Sequence, residues 1–226
     1  MRTKTLLIAA VALAAGILTS SAQTYSQNIV GYVNQPFAGG KYVQIVVPLE
    51  TTPTNAPEDV FPALQTGDAI LLWTNGQYVT YTYFAPQTWL YPDNVTFGLA
   101  PNLPAGTGLF YLAAGNETNT YVGTVVLSNT NAPITLLGGK YALVGSLPPI
   151  AASSLEDTNL NLPLAVGDAA LIWTNQQYST YTFFGPGTWL YPDNVTFGVS
   201  PALQVGQGFF YLPAGNEIWT QNLIVQ

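Results

Sequence analysis

The fold is read from residues 67–83, Gly67-Asp68-Ala69-Ile70-Leu71-Leu72-Trp73-Thr74-Asn75-Gly76-Gln77-Tyr78-Val79-Thr80-Tyr81-Thr82-Tyr83. A short apolar run meets Asn-Gly, and a segment of aromatic and β-branched residues follows. The run is the length of a buried strand, and the second segment suits a pleated surface. Asn75-Gly76 supplies the positive φ values of a tight hairpin turn, so the stretch reads as two antiparallel strands. One hundred residues later, Gly167-Asp168-Ala169-Ala170-Leu171-Ile172-Trp173-Thr174-Asn175 repeats the first strand. Gln176 stands there in place of glycine, which weakens the turn expectation in the second copy.

The repeat extends outward from this hairpin. Thr88-Trp89-Leu90-Tyr91-Pro92-Asp93-Asn94-Val95-Thr96-Phe97-Gly98 recurs without change at residues 188–198. Gly106-x-Gly108-x-Phe110-Tyr111-Leu112 and Ala114-Gly115-Asn116-Glu117 also return one hundred residues on. Gly39-Gly40-Lys41-Tyr42 returns at Gly138 with an offset one shorter. Self-similarity at this period marks a duplicated unit, each copy large enough for a modest core of its own. Tyr42–Val47, Leu109–Leu112 and Tyr121–Leu127 read as further strands, with short helical turns at residues 56–61 and 153–157. The expected fold is all-β: two tandem, duplicated, sandwich-like or barrel-like modules packed closely. The expected boundaries are a signal peptide at 1–22, module one at 23–127 and module two at 128–226. The joint falls in the short polar stretch Leu127–Pro133. Residues 28–33 loosely resemble 120–125, and a strand there is expected to pair with the last strand of a module, covering an exposed edge.

Composition removes whole classes of chemistry. The chain of 226 residues has no histidine and no cysteine, which excludes a Ser–His–Asp triad, a thiol nucleophile, imidazole or thiolate metal sites and disulfides. No Asp-rich calcium-loop spacing is present; calcium held by acids and loop carbonyls stays open as an alternative, and no metal ligand or cofactor is assigned. Met1-Arg2-Thr3-Lys4-Thr5, the apolar run Leu6–Leu18 and the small residues before Gln23 read as a secretory signal peptide. Its removal leaves Lys41 and Lys140 against eleven acids, a net charge of −9. That disfavours nucleic acid and, after cleavage, an anionic membrane surface. The expected location is secreted: extracellular, periplasmic or cell-surface.

The candidate site is the repeated Trp-Leu-Tyr-Pro-Asp-Asn segment: Trp89, Tyr91, Asp93 and Asn94, with Trp189, Tyr191, Asp193 and Asn194. An extended segment puts Trp89, Tyr91 and Asp93 on one face, and Pro92 places it at an edge or in a loop. A flat ring beside a carboxylate and an amide is what a sugar surface needs. The competing structural reading makes Trp89 a core plug and Pro92-Asp93-Asn94 a turn. The glycine pairs precede strands rather than helices and are no nucleotide fingerprint; they read as turns or bulges. The repeated acids Asp68/Asp168, Asp93/Asp193 and Glu117/Glu217 sit in turn contexts, and with so few ionisable groups to tune them no catalytic residue is assigned. Lys41 and Lys140 are expected to pair with an acid of their own module, such as Asp68 or Glu117.

The series Gly31-Tyr32-Val33-Asn34, Gly-Lys-Tyr strand, Trp-Thr-Asn hairpin, Trp-Leu segment and Gly-x-Gly-x-Phe-Tyr strand resembles a family of duplicated, largely uncharacterised secreted β-rich proteins of verrucomicrobial-type bacteria. It is also similar to β modules associated with bacterial surface layers. The resemblance covers nearly the whole mature chain and implies no catalytic residues. The expected function is a non-catalytic, extracellular or cell-surface structural or adhesive β-repeat protein. The alternative is a secreted carbohydrate-binding protein with two equivalent aromatic sites. The expected partners are accordingly further copies of the chain or a polysaccharide.

Overall fold

The computed structural model describes residues 29–51 and 54–223; the expected signal peptide lies outside them. The first copy comprises β1 (Val30–Phe37), β2 (Tyr42–Val46), the short helix α1 (Pro57–Val60), β3 (Ala69–Thr74), β4 (Gln77–Ala85), β5 (Thr88–Leu90), β6 (Phe97–Gly98), β7 (Gly108–Leu112) and β8 (Glu117–Thr124). The second comprises β9 (Ile134–Leu136), β10 (Ala142–Gly145), β11 (Ala169–Thr174), β12 (Gln177–Gly185), β13 (Thr188–Leu190), β14 (Phe197–Gly198), β15 (Gly208–Leu212) and β16 (Glu217–Trp219). The chain is all-β and duplicated, as the repeat predicts. Each copy builds a six-stranded antiparallel sheet, ordered β2-β7-β3-β4-β5-β6 and β10-β15-β11-β12-β13-β14.

A two-stranded ribbon packs against one face of each sheet. In the first copy it is β1 with β8, from Val30 opposite Thr124 to Phe37 opposite Glu117, so residues 30–33 do pair with the copy's last strand. In the second it is the shorter β9–β16 pair. Between sheet and ribbon lies each core. Ile45, Ile70, Trp89, Leu109 and Tyr111 join Phe37, Phe61 and Tyr121 in the first. Ile172, Trp189, Phe209 and Tyr211 join Leu155 and Trp219 in the second. Side chains alternate across a strand, so these residues occupy one face of each sheet and leave the other free for the opposite copy.

The 74–77 hairpin forms as the Asn-Gly dipeptide requires, with Asn75 and Gly76 at φ 53° and 79°. The second copy keeps the same turn, with Asn175 at 51° and Gln176 at 63°. A non-glycine residue there is strained by about 1 kcal/mol, and the Gln176 side chain has a partner that offsets the strain, described below. Of the two expected helical turns, the first is α1, and residues 153–157 form bends and turns without a helix.

Candidate functional site

The repeated Trp-Leu-Tyr-Pro-Asp-Asn segment begins inside the core and ends in a surface turn. Trp89 and Trp189 are 0% exposed. Each ring packs edge-on or tilted against its cross-strand neighbour, Tyr83 at 5.1 Å and Phe183 at 5.0 Å between centroids. The indole N–H groups donate to Glu58 (2.9 Å) and Glu156 (2.8 Å). This corrects the expectation that Trp89 and Trp189 carry a sugar platform, because neither ring has a face open to solvent. The Tyr91 hydroxyl donates to the Leu99 carbonyl and its ring lies over Gly98, where a Cβ would come within 2.7 Å of the phenolic oxygen. Asp93 accepts from the Val95 and Thr96 amides and from the Thr96 hydroxyl, and Asn94 turns the chain at φ 58°. Those bonds hold the Asp93 carboxyl below its ordinary range, with the Thr96 hydroxyl the main cause. Tyr191, Asp193 and Asn194 repeat the arrangement. Tyr91 and Tyr191 share the core side with the tryptophans, packing edge-on against Tyr81 and Tyr181 at 5.5 Å, whereas the Asp and Asn of each copy close a turn on themselves, so no open sugar-binding face forms.

The second repeated constellation joins a tyrosine to two acids. Asp68 is 0% exposed and accepts from the Gln65 amide (2.6 Å), the Ala114 amide (2.7 Å) and the Tyr111 hydroxyl (2.8 Å). The same hydroxyl also bonds Glu117, whose other partners are Asn119 and Gln65. Burial, followed by the charge of Asp68, raises the Glu117 carboxyl, and burial raises the Tyr111 phenol. Asp168, Tyr211 and Glu217 repeat this. The cluster ties the turn before β3 to the turn after β7. Lys41 and Lys140 are exposed at the surface, and the Asp68 and Glu117 carboxylates are taken by amides and hydroxyls instead of by Lys41. The expected lysine pairing with those acids is therefore corrected.

The third constellation lies between the copies. On the face of each sheet turned away from its own core, Trp73 packs edge-on against Phe210 at 4.9 Å, and Trp173 against Phe110 at 5.1 Å. Trp73 donates its indole N–H to the Tyr141 carbonyl and Trp173 donates to the Tyr42 carbonyl, at 3.0 and 2.9 Å. The Tyr78 and Tyr178 hydroxyls meet at 2.8 Å. Each of these contacts has a mate in the other direction, which is the signature of a two-fold, self-complementary interface. Glycine makes the approach possible: a Cβ on Gly108 would lie 2.5 Å from the Leu143 carbonyl oxygen, and one on Gly208 would lie 2.7 Å from that of Ile45. So the second glycine of each Gly-x-Gly pair serves close packing between copies.

The two-fold is broken on one side. Gln176 donates to the Tyr42 carbonyl (2.9 Å) and accepts from the Tyr42 amide (3.1 Å), while Gln44 accepts from the Trp173 amide at 3.2 Å. This clamp is what the left-handed glutamine gains for its strain. The Gln44 amide nitrogen is buried without a partner. Beside the clamp, Tyr42, Leu71, Tyr78, Phe110, Trp173 and Tyr178 line an open cleft of about 200 Å³. Compared with known family models, curated proteins and solved structures, the chain matches none.

These seam residues were available to sequence reasoning through strand parity. Leu71 and Trp73 are two apart on β3, Tyr78 lies opposite Trp73, and Phe110 lies opposite Leu71. All four fall on the face opposite the core, and an apolar row there is the signal of a second covered surface.

Proposed function

We propose that this protein is a non-catalytic structural or adhesive β-repeat unit that acts outside the cytoplasm. One observation carries this reading: the repeated acids are engaged within their own copy. Glu58 and Glu156 hold the core tryptophans, Asp68 and Asp168 hold buried amides and a tyrosine, and Asp93 and Asp193 close their own turns. A general acid or base must reach a substrate atom within hydrogen-bond distance, and these groups are already committed elsewhere. The leader-like N-terminus and the resemblance to surface-associated modules point to the same setting. A second reading, carbohydrate binding, moves from Trp89 and Trp189 to the cleft between the copies, because the Tyr42, Tyr78 and Tyr178 rings there are more than a third exposed.

A panel of soluble polysaccharides tests both readings with the mature chain, residues 23–226. Reducing-end release should stay at background. Release abolished by Glu117→Gln/Glu217→Gln would overturn the non-catalytic reading. Electrophoresis through gels containing each glycan should show no retardation. Retardation lost on Tyr78→Ala/Tyr178→Ala would establish the second reading in its place.

A further inference from the structure

The seam covers only half of the face on which it lies. Directly opposite residues in a sheet share a face, so the register defines two rows across the outer face of the first sheet. One row runs Gln44–Phe110–Leu71–Thr80 and the other Leu112–Ala69–Thr82–Leu90–Phe97. At the β2–β7 end the face is buried against the other copy, with Gln44 3% and Phe110 4% exposed. At the β4–β6 end none of the described residues covers it: Phe84 and Phe97, a T-shaped pair 5.2 Å apart, are 47% and 50% exposed. The second sheet repeats this with Phe184 and Phe197.

We propose that these two uncovered half-faces are docking surfaces for further copies of this same chain, so that molecules join end to end into open chains. The inference rests on the structural reading above and names its partner. Three observations select a second copy as the occupant. The half-face is continuous with the seam, where the same face of the same sheet already packs on its own duplicate. The outward positions Thr80, Thr82, Phe84, Leu90 and Phe97 are identical in the two copies, at Thr180, Thr182, Phe184, Leu190 and Phe197. None of them is charged, so this acidic chain can press the surface against itself without opposing like charges directly. A contact that leaves an equivalent surface free on each new molecule continues instead of closing.

Sedimentation velocity of the mature chain over a concentration series tests this. Expected for the unaltered protein is a sedimentation coefficient that rises with concentration through dimers to longer chains. Added salt should strengthen it, since screening weakens the repulsion between acidic molecules. Phe97→Asp/Phe197→Asp should weaken association roughly tenfold or more, because each contact would then oppose like charges. Phe97→Asp alone should stop assembly at dimers, because one end remains and either end can meet either end. Thr82→Arg/Thr182→Arg, with an unchanged circular-dichroism spectrum, repeats the test without touching an aromatic pair. Tyr32→Asp, on the exposed ribbon, should change nothing. A chain monomeric at every concentration, or assembly indifferent to both double variants, would overturn the proposal. Neither result bears on the polysaccharide assays, so the two ideas fail separately.

Discussion

Each copy carries two repeated tryptophans, and the fold treats them in opposite ways. Trp89 lies opposite Tyr83 on the core face of its sheet and is sealed from solvent. Trp73 lies opposite Tyr78 on the outer face and reaches the other copy. In sequence the first belongs to the longest unbroken identity between the copies and the second to an ordinary hairpin. That identity runs on from the sealed ring through an exposed turn, where Val95 is 77% and Phe97 50% exposed, so identity between copies does not by itself mark what is packed into the module. Strand parity is what separates a core residue from an interface residue.

The strongest way to break that comparison is to remove the buried ring. Trp89→Ala would open a cavity in the core and strip Glu58 of its indole partner, and should cost about 3–5 kcal/mol in a denaturant titration. A loss no greater than that of Trp73→Ala would make the two residues equivalent after all. The seam should yield less. Trp73→Ala/Trp173→Ala removes two edge-on ring pairs and two hydrogen bonds that cross between the copies, worth about 1–2 kcal/mol at each site. Its signature in scanning calorimetry should be one transition becoming two as the copies unfold separately; a single sharp transition would show that the tryptophans do not couple them.

The smallest effects should come from pH. Burial raises the Glu117 and Glu217 carboxyls, so the folded chain holds those protons more tightly than the unfolded chain. Their destabilising effect is absent below the ordinary carboxylate range and grows as pH rises through the folded values. Hydrogen bonds from Thr96 and Thr196 lower the Asp93 and Asp193 carboxyls. Their contribution is complete above the ordinary range and is lost as pH falls through the lowered values. Urea midpoints across pH should therefore separate the two sets. Glu117→Gln/Glu217→Gln should flatten the profile above the carboxylate range, and Asp93→Asn/Asp193→Asn should flatten it below. An unchanged profile in the first pair would remove those glutamates from the balance.

The duplication, the strands and the 74–77 hairpin were legible because each rests on local pattern: an exact repeat, alternation, and Asn-Gly. The competing reading of Pro92-Asp93-Asn94 as a turn was legible for the same reason. The same reading makes Trp89 a core plug, as its burial bears out; its polar partner was not legible, because α1 brings Glu58 to the indole from thirty-one positions away in sequence. The seam was hidden in a different way. Strand parity sets Phe110 and Trp73 on the face opposite the core and so marks a second covered surface, but nothing local says that a second sheet is what covers it. The persistence of the turn at Gln176 could not be foreseen either, since what secures it is the Tyr42 backbone of the opposite copy.

The link from β8 to β9 runs only from Val125 to Pro133, so the two sheets meet within one molecule. A short tether fixes the local concentration of one half around the other on the order of millimolar, whatever the dilution of the solution. The seam can thus tolerate an unpaired Gln44 amide and an open cleft and still stay shut, as a weak pair of separate subunits could not. Joining the halves covalently exempts this one contact from mass action. Contacts between whole molecules keep no such exemption, and their lifetime remains set by how crowded the protein's surroundings are.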